Sequence, residues 1–306
     1  MKPRLIIIAG PTGVGKSATA LTLAREFGGE IISADSMQVY RFMDIGTAKP
    51  SVEDRALVRH HLIDVVNPDE TFNAALYAEK ARRIVQELHE DKKNIWVVGG
   101  TGLYIRVLTG GLLEGPGSDE GMRNVFRQEI ERYGTGYLHE RLKGKDKAAA
   151  KKIHPNDAVR LMRALEVIEL SGESIVARQR EHRFGDRPYE SMKIGLMDER
   201  ERLYEKIDRR CDGMIEKGLA GEVESLLARG YSESLKAMQS LGYRHMAGYL
   251  KGTLSLGEAA ARMKRDTRNY AKRQLTWFRA DREMIWLHPD EMDGMRKRIE
   301  AFLSGR

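Results

Sequence analysis

Short unbroken apolar runs alternate with amphipathic stretches over the first third of the chain. Leu5-Ile6-Ile7-Ile8-Ala9 reads as a buried strand, and Ser17–Phe27 as a helix closed by Gly28-Gly29. Ile31–Ala34 predicts a second strand, Leu62–Val66 a third and Ile95–Val98 a fourth. Between the last two, Tyr77, Ala81, Ile84, Val85 and Leu88 recur at helical spacing. Strands without a polar face, separated by helices, need crossover connections, so the pattern predicts a parallel sheet covered on both sides.

The rhythm changes after Gly110-Gly111 and the turn-forming Gly115-Pro116-Gly117. From Asp119 to about Gly172 the chain reads as helical. Its last helix carries Val159, Met162, Leu165, Val167 and Ile168, with Asn156 as the expected cap. Residues 177–188 are Arg-rich and read as an exposed loop. Strand-like runs return at Ile194–Met197 and Met284–Leu287. The expectation is a sheet domain formed by 1–114 and 191–306, including the C-terminal helices, with a helical insertion at 115–190.

Gly10-Pro11-Thr12-Gly13-Val14-Gly15-Lys16-Ser17 fits G-x-x-x-x-G-K-[ST], and it sits after a buried strand and before a helix, the context the motif requires. Glycines let main-chain N–H groups turn toward phosphate oxygens, and the helix N-terminus adds a favourable dipole. Lys16 supplies a mobile charge; the Ser17 hydroxyl can reach a phosphate-bound Mg²⁺, the expected cofactor. The fold class is therefore α/β, a P-loop NTPase-like parallel-sheet core with a mostly helical insertion domain. All eight loop residues are candidates for holding a diphosphate or nucleotide. P-loop NTPases usually end a second strand in a metal-organising Asp, but Ile95–Val98 runs into Gly99-Gly100-Thr101-Gly102. The strand-terminal acid here is Asp35, after Ile31–Ala34. At the edge where ligands bind, it could coordinate metal, act as a general base, or simply cap a helix.

Charge sharpens the picture. The 306-residue chain has formal charge +7, unevenly spread: residues 1–120 carry −2, while 121–183 carry +5. A polyanion contacted by the later segments is one reading and a solvated basic face the other. Ser255-Leu256-Gly257-Glu258 is a capping box that opens a helix to about Asp281. Within it, residues 262–282 hold eight basic and two acidic side chains. Lys264, Arg268 and Lys272 form an i, i+4 stripe suited to phosphates, and Met263, Tyr270 and Trp277 recur at heptad spacing as the expected packed face. A single cysteine, Cys211, excludes an internal disulfide framework and any multi-cysteine zinc site. His60-His61 reads as structural. No apolar run approaches the ~18 residues of a membrane span, and the first apolar run is too short for a secretory signal. A soluble, cytoplasmic protein is expected.

Several motifs together resemble the tRNA dimethylallyltransferases, also called tRNA isopentenyltransferases, of bacterial type. They are Gly10–Ser17, Asp35-Ser36-Met37-Gln38-Val39-Tyr40, Met43-Asp44-Ile45-Gly46-Thr47-Ala48-Lys49-Pro50 and His60-His61-Leu62-Ile63-Asp64. Gly99-Gly100-Thr101-Gly102-Leu103-Tyr104, Gly242-Tyr243-Arg244 and Ala271-Lys272-Arg273-Gln274 complete the set, in consistent order over nearly the whole chain. The resemblance implies transfer of a dimethylallyl group from its diphosphate to N6 of the adenosine 3′ of the anticodon. It also implies Asp35 as general base, Thr101 as an orienting hydroxyl, and Arg210 as a clamp on departing diphosphate. Arg209, its neighbour in Lys206-Ile207-Asp208-Arg209-Arg210, competes for that clamp. Against tRNA it places Asp35, Ser36, Met37, Gln38, Arg123 and Val159-Arg160-Leu161-Met162-Arg163. Arg244, Lys264, Arg268, Lys272 and Arg273 are the remaining candidates for the anticodon stem-loop. A monomer acting without a membrane is expected, and one cysteine leaves no place for the zinc finger some members carry. The competing classes are a small-molecule kinase and an RNA-remodelling NTPase; the missing acid after Val98 and the Asp-Ser-x-x-x-Tyr motif count against both.

Overall fold

The computed structural model describes residues 2–111, 115–117, 119–174, 176–177 and 186–305. Most of the Arg-rich stretch, residues 178–185, lies outside the described residues. The chain divides into two compact units, Met1–Thr109 with Arg187–Arg306, and Gly110–Asp186. These edges fall a few residues before those expected at 114/115 and 190/191. The second shifts because residues 187–190 already belong to the sheet edge: Lys2 Nζ donates to Arg187 O (2.7 Å) and Glu190 N to Pro3 O (3.0 Å).

The first unit opens with β1 (Arg4–Ala9), α1 (Lys16–Phe27), β2 (Glu30–Ser33), α2 (Val52–Leu57), β3 (His60–His61), α3 (Ala74–Glu90), β4 (Ile95–Gly99) and α4 (Gly102–Gly110). The second unit follows with α5 (Glu120–Tyr133), α6 (Thr135–Lys145), α7 (Lys147–Lys152) and α8 (Ala158–Ser171). The first unit resumes with β5 (Glu190–Leu196), α9 (Arg200–Glu216), α10 (Leu219–Ala228), α11 (Tyr243–Leu250), α12 (Leu256–Arg279), β6 (Met284–Leu287) and α13 (Met292–Ser304).

The six described strands are all parallel, in the order β3-β2-β4-β1-β5-β6. Central β1 pairs with β4 and β5, setting Ile6 opposite both Trp96 and Met192. Burial on both faces explains why Leu5–Ile8 carries no polar alternation. Because every strand points the same way, the phosphate loop, Asp35, Thr101 and the residues after Leu196 share one sheet edge. β4 lies between β1 and β2, so Asp35 reaches the cradle across the end of β4.

The third strand differs from expectation. His60 and His61 pair with Ile31 and Ile32, whereas Leu62–Val66 leaves the sheet. Leu62 and Asp64 have φ of +61° and +57°, which breaks an extended run. The segment runs instead along Gln38–Tyr40, with Asp64 N and Val65 N donating to Gln38 O and Val39 O and Val66 bridging Tyr40. In the second unit, α5, α6, α7 and α8 bury Phe126, Leu138, Leu142, Leu161 and Leu165 in their own core. The cap of α8 is Asp157, whose side chain accepts from Arg160 N (3.1 Å); Asn156 instead donates its main-chain N–H to His154. The helix α12 does begin with the Ser255/Glu258 capping box. Its buried face is Ala259, Met263, Ala271, Gln274 and Phe278, leaving Trp277 exposed. A straight helix drifts ~20° per heptad, so two heptads after Met263 the core-facing positions are 274 and 278.

Candidate active site

The loop Gly10–Ser17 connects β1 to α1. At Gly13, φ is +82° and a Cβ would stand 2.8 Å from Ile207 Cγ1, so a side chain there would be both strained and in collision. The cavity beside the loop, about 220 Å³, is lined by Gly13, Gly15, Lys16, Ser17, Ala18, Lys206 and Arg210. Lys16 folds over it, Nζ donating to Pro11 O (2.7 Å). Burial, then the nearby Arg210 charge, pull its ammonium pKa down to about 7, with Asp35 opposing. Arg210, on α9, also has its pKa lowered by burial, with Asp35 again opposing, and has no ion pair among the described residues. Arg209 is exposed. Two half-buried cations thus line one cavity with a single carboxylate, Asp35, to offset them among the described residues, an imbalance that a bound anion would relieve.

Asp35 performs two tasks. Its Oδ1 accepts from Met37 N (2.8 Å) and Gln38 N (3.3 Å), which fixes the turn after β2, while Oδ2 accepts no hydrogen bond among the described residues. Thr101 sits opposite on the turn after β4, where Ser36 N donates to its Oγ1 (3.0 Å) and its own N donates to Ala34 O (3.0 Å). The Gln38 side chain is occupied internally: Oε1 accepts from Ser33 Oγ (3.0 Å), and Nε2 faces the carbonyls of Thr47 and Ala48 (3.4 and 3.3 Å). Ser36 and Met37 are half-buried on the same turn.

Three side chains escaped the sequence reading. Gln274, buried on α12, accepts from Thr12 N (2.8 Å) and donates to Gly100 O (2.9 Å), tying the phosphate loop to the Thr101 turn. A Cβ at Gly100 would stand 2.2 Å from its Nε2. One turn earlier, Tyr270 sits beside Thr101 and Gln274, and burial with the Asp35 charge pushes its pKa up to about 12, so it is a neutral phenol. Lys206 enters the cavity from α9, held by the buried Asp198 carboxylate (2.7 Å) that also meets His288 Nε2 (3.3 Å). An amide on the packed face of a helix is the signal that marks Gln274.

The candidate RNA contacts fall into distinct groups. On α12, Lys272 and Arg273 are exposed, but Lys264 is bonded to Asp212 (2.7 Å) and Arg268 to both oxygens of Asp208 (2.7 and 2.6 Å). The expected stripe of three open cations is therefore one open cation and two neutralised by α9. Arg244 pairs with Asp266 (2.5 Å). In the helical unit, Arg123 and Arg163 both bind Glu166, a carboxylate with 0 % of its side chain exposed, at 2.8 and 2.6 Å. Leu161 is fully buried and Met162 packs against the same core, so the Leu161 side chain cannot touch RNA. Val159 and Arg160 are exposed, the latter near Asp157 (3.5 Å). No group of three or more His, Cys, Asp or Glu is placed to hold a metal among the described residues. His61 instead bonds Glu30 (2.6 Å).

A parallel α/β sheet whose strand ends bring together a glycine-rich loop, two half-buried cations and a facing carboxylate defines an α/β protein with an anion-compatible cavity at its sheet edge. The IPP transferase family matches residues 38–281. The chain is 55 % identical over 304 residues to the tRNA dimethylallyltransferase 2 of Syntrophus aciditrophicus, covering 99 % of this chain and 98 % of that one. It superposes on the full-length tRNA isopentenylpyrophosphate transferase of Bacillus halodurans with TM-score 0.75 and 40 % identity, covering 99 % and 98 % of the two chains. A eukaryotic dimethylallyltransferase solved while acting on tRNA matches with TM-score 0.82 and 26 % identity, over 99 % of this chain and 80 % of that one. The chain belongs to the tRNA dimethylallyltransferase family.

Proposed function

We propose that this enzyme transfers the dimethylallyl group of dimethylallyl diphosphate to N6 of the adenosine 3′ of the anticodon, releasing diphosphate. The observation that carries the mechanism is the cradle itself: Lys16 and Arg210 line one cavity beside Asp35, and neither has an ion pair among the described residues. A diphosphate in the cradle supplies the missing negative charge. An adenine N6 amine is a weak nucleophile, because its lone pair is delocalised into the ring. The new bond joins N6 to the allylic carbon, the bond from that carbon to the diphosphate oxygen breaks, and the N6 proton passes to Asp35 Oδ2. Lys16, Arg210, Lys206 and the loop amides stabilise charge on the leaving group. Thr101, anchored by the Ser36 N–H on its hydroxyl and by its own N–H on Ala34 O, orients the reacting groups.

Mg²⁺ fits this donor set. The exposed Ser17 hydroxyl faces the cavity, and a small hard cation usually binds through few protein oxygens, completing its shell with phosphate oxygens and water. When bound, it neutralises diphosphate charge; the protein ligand is Ser17. The target adenine must leave its stack to reach the sheet edge, which a single-stranded anticodon loop makes less costly. None of the described helices is long and apolar enough to cross a membrane, and we place a tRNA-modifying monomer in the cytoplasm. The experiment is mass spectrometry of nucleosides from tRNA incubated with enzyme, Mg²⁺ and dimethylallyl diphosphate. A dimethylallylated adenosine supports the reading; phosphate or ADP released from ATP, with unmodified tRNA, overturns it.

A further inference from the structure

The segment after Asp35 contains a residue that neither the reaction nor the core accounts for. Phe42 has φ of +65°, in the left-handed region that a bulky side chain enters only at a cost, and its side chain is 40 % exposed. Tyr40 and Met43, which bracket the exposed pair Arg41 and Phe42, are buried as ordinary core. The Phe42 ring lies beneath the Arg229 guanidinium, 4.3 Å from centroid to carbon, at the C-terminal end of α10.

Strain of this kind persists only where the surroundings over-determine the backbone. Here they do. Lys49, 2 % exposed, donates to Tyr40 O (2.6 Å), Asp44 (2.7 Å) and Asp64 (2.5 Å), closing the loop from inside. From outside, Glu222 on α10 accepts from the main-chain N–H groups of Asp44, Ile45 and Gly46 (2.8, 2.8 and 3.2 Å) and from Tyr243 Oη (2.6 Å). The loop is clamped, and the one large apolar side chain it turns outward is an aromatic ring already stacked on an arginine. Neither Arg229 nor the adjacent Arg41, which meets the neutral Asn67 side chain, has a carboxylate partner among the described residues.

Resting on the proposed tRNA reading, we propose that Phe42 and Arg229 form a stacking platform for an unpaired nucleobase of the anticodon loop, flanking the adenosine that enters the site. Phe42 follows Asp35 by seven residues, which limits their separation to about 25 Å even for a fully extended chain. A few unstacked nucleotides span that distance. A ring with a guanidinium beside it offers a base both stacking and cation–π contact without reading its identity. The two open arginines suit the flanking phosphates, which is why an RNA and not an apolar protein surface is the occupant.

The test measures binding of the full-length enzyme to a synthetic anticodon stem-loop without prenyl donor. Phe42→Gly weakens binding roughly tenfold, within the range for loss of one base–aromatic stack, whereas Phe42→Tyr binds as the wild type. Phe42→Leu behaves like Phe42→Gly, since it keeps bulk but not the ring. The melting midpoint of Phe42→Gly stays level or rises, because glycine relieves the left-handed strain. A stem-loop lacking one base erases the difference between wild type and Phe42→Gly at one loop position only. Equal affinity of wild type and Phe42→Gly overturns the platform, as does a loss that is the same on every abasic RNA, or full binding by Phe42→Leu. Those outcomes leave the prenyl-transfer reading intact, because the nucleoside product is measured separately. Failure of the wild-type protein to bind the stem-loop overturns both.

Discussion

The two units of the molecule treat charge sheltered from solvent in opposite ways. In the helical unit, Glu166 is wholly buried and meets Arg123, Arg163 and the Asp119 N–H. Burial alone would raise its pKa, but these partners outweigh it and hold the carboxyl below its usual range. That cluster is satisfied from within and joins α5 to α8. In the sheet unit, Lys16 and Arg210 are half-buried at one cavity with Asp35 as their offsetting carboxylate among the described residues, and the Lys16 pKa falls to about 7. One cluster is complete and stabilises a fold; the other leaves its cations without an ion pair among the described residues, as the proposed diphosphate site requires. Counting arginines does not separate the two cases, but asking which charges already have partners does.

The sharpest way to break this comparison is at Asp35. Asp35→Asn keeps shape and the Met37 hydrogen bond but removes the proton acceptor. Prenyl transfer should fall by ~10²–10⁴-fold with tRNA affinity within a few-fold. Single-turnover kinetics decide it, and a loss below tenfold assigns the base elsewhere.

Glu166→Ala makes the opposite cut, removing the anion from a completed cluster. Loss of one partner from a buried pair costs 3–5 kcal/mol, and partial exposure of both arginines screens the remainder, so about 2 kcal/mol is expected. Urea unfolding reads it, and a midpoint within error of wild type would make the cluster decorative. The Glu166 carboxyl has a depressed folded-state pKa. Its contribution is therefore present above its ordinary value of 4.5 and is lost as pH falls below that.

Lys16 provides the next test. Its folded pKa lies below the unfolded value of 10.5, so in the free enzyme its contribution to stability grows as pH rises from about 7 to 10.5. A diphosphate restores the charge, so donor binding at pH 8 takes up nearly one proton, and affinity falls by up to about tenfold per unit above pH 7. Calorimetry in two buffers of different ionisation enthalpy measures the uptake. Lys16→Ala should abolish it; an uptake that survives belongs to another group.

The smallest effect separates open from paired cations on α12. Lys272→Ala should flatten the log-affinity versus log-salt plot for tRNA by roughly 0.7–0.9, one phosphate contact. Lys264→Ala and Arg268→Ala should change it less, since Asp212 and Asp208 already offset those charges. Equal slopes for all three variants would mean the pairs open on binding.

Much of the fold was legible where one local rule sufficed. Apolar runs identified five of the six described strands, and the Ser255/Glu258 pattern marked the start of α12. The third strand was misplaced because apolarity alone does not report the left-handed turns at Leu62 and Asp64, which Lys49 and Arg55 hold through the Asp64 carboxylate. Trp277 was misassigned because a seven-residue repeat is not the period of a straight helix. Strand ends and motifs singled out Asp35, Thr101 and Arg210 as candidates, whereas Gln274, Tyr270 and Lys206, which the fold places beside them, were not singled out for the site. Their importance lies in partners 60 or more positions away, or in a cavity that no local pattern describes.

The sequence by itself determined the parallel sheet, the phosphate loop at its edge and the family, since each is written in contiguous residues whose chemistry depends little on distant partners. Only the tertiary structure decided which cations are free. Lys264, Arg268 and Arg123 look the same in sequence as Lys272 and Arg210, and what distinguishes them is an aspartate or glutamate brought alongside by another helix. Net electrostatic effect depends on separation and burial, and both are properties of the folded chain.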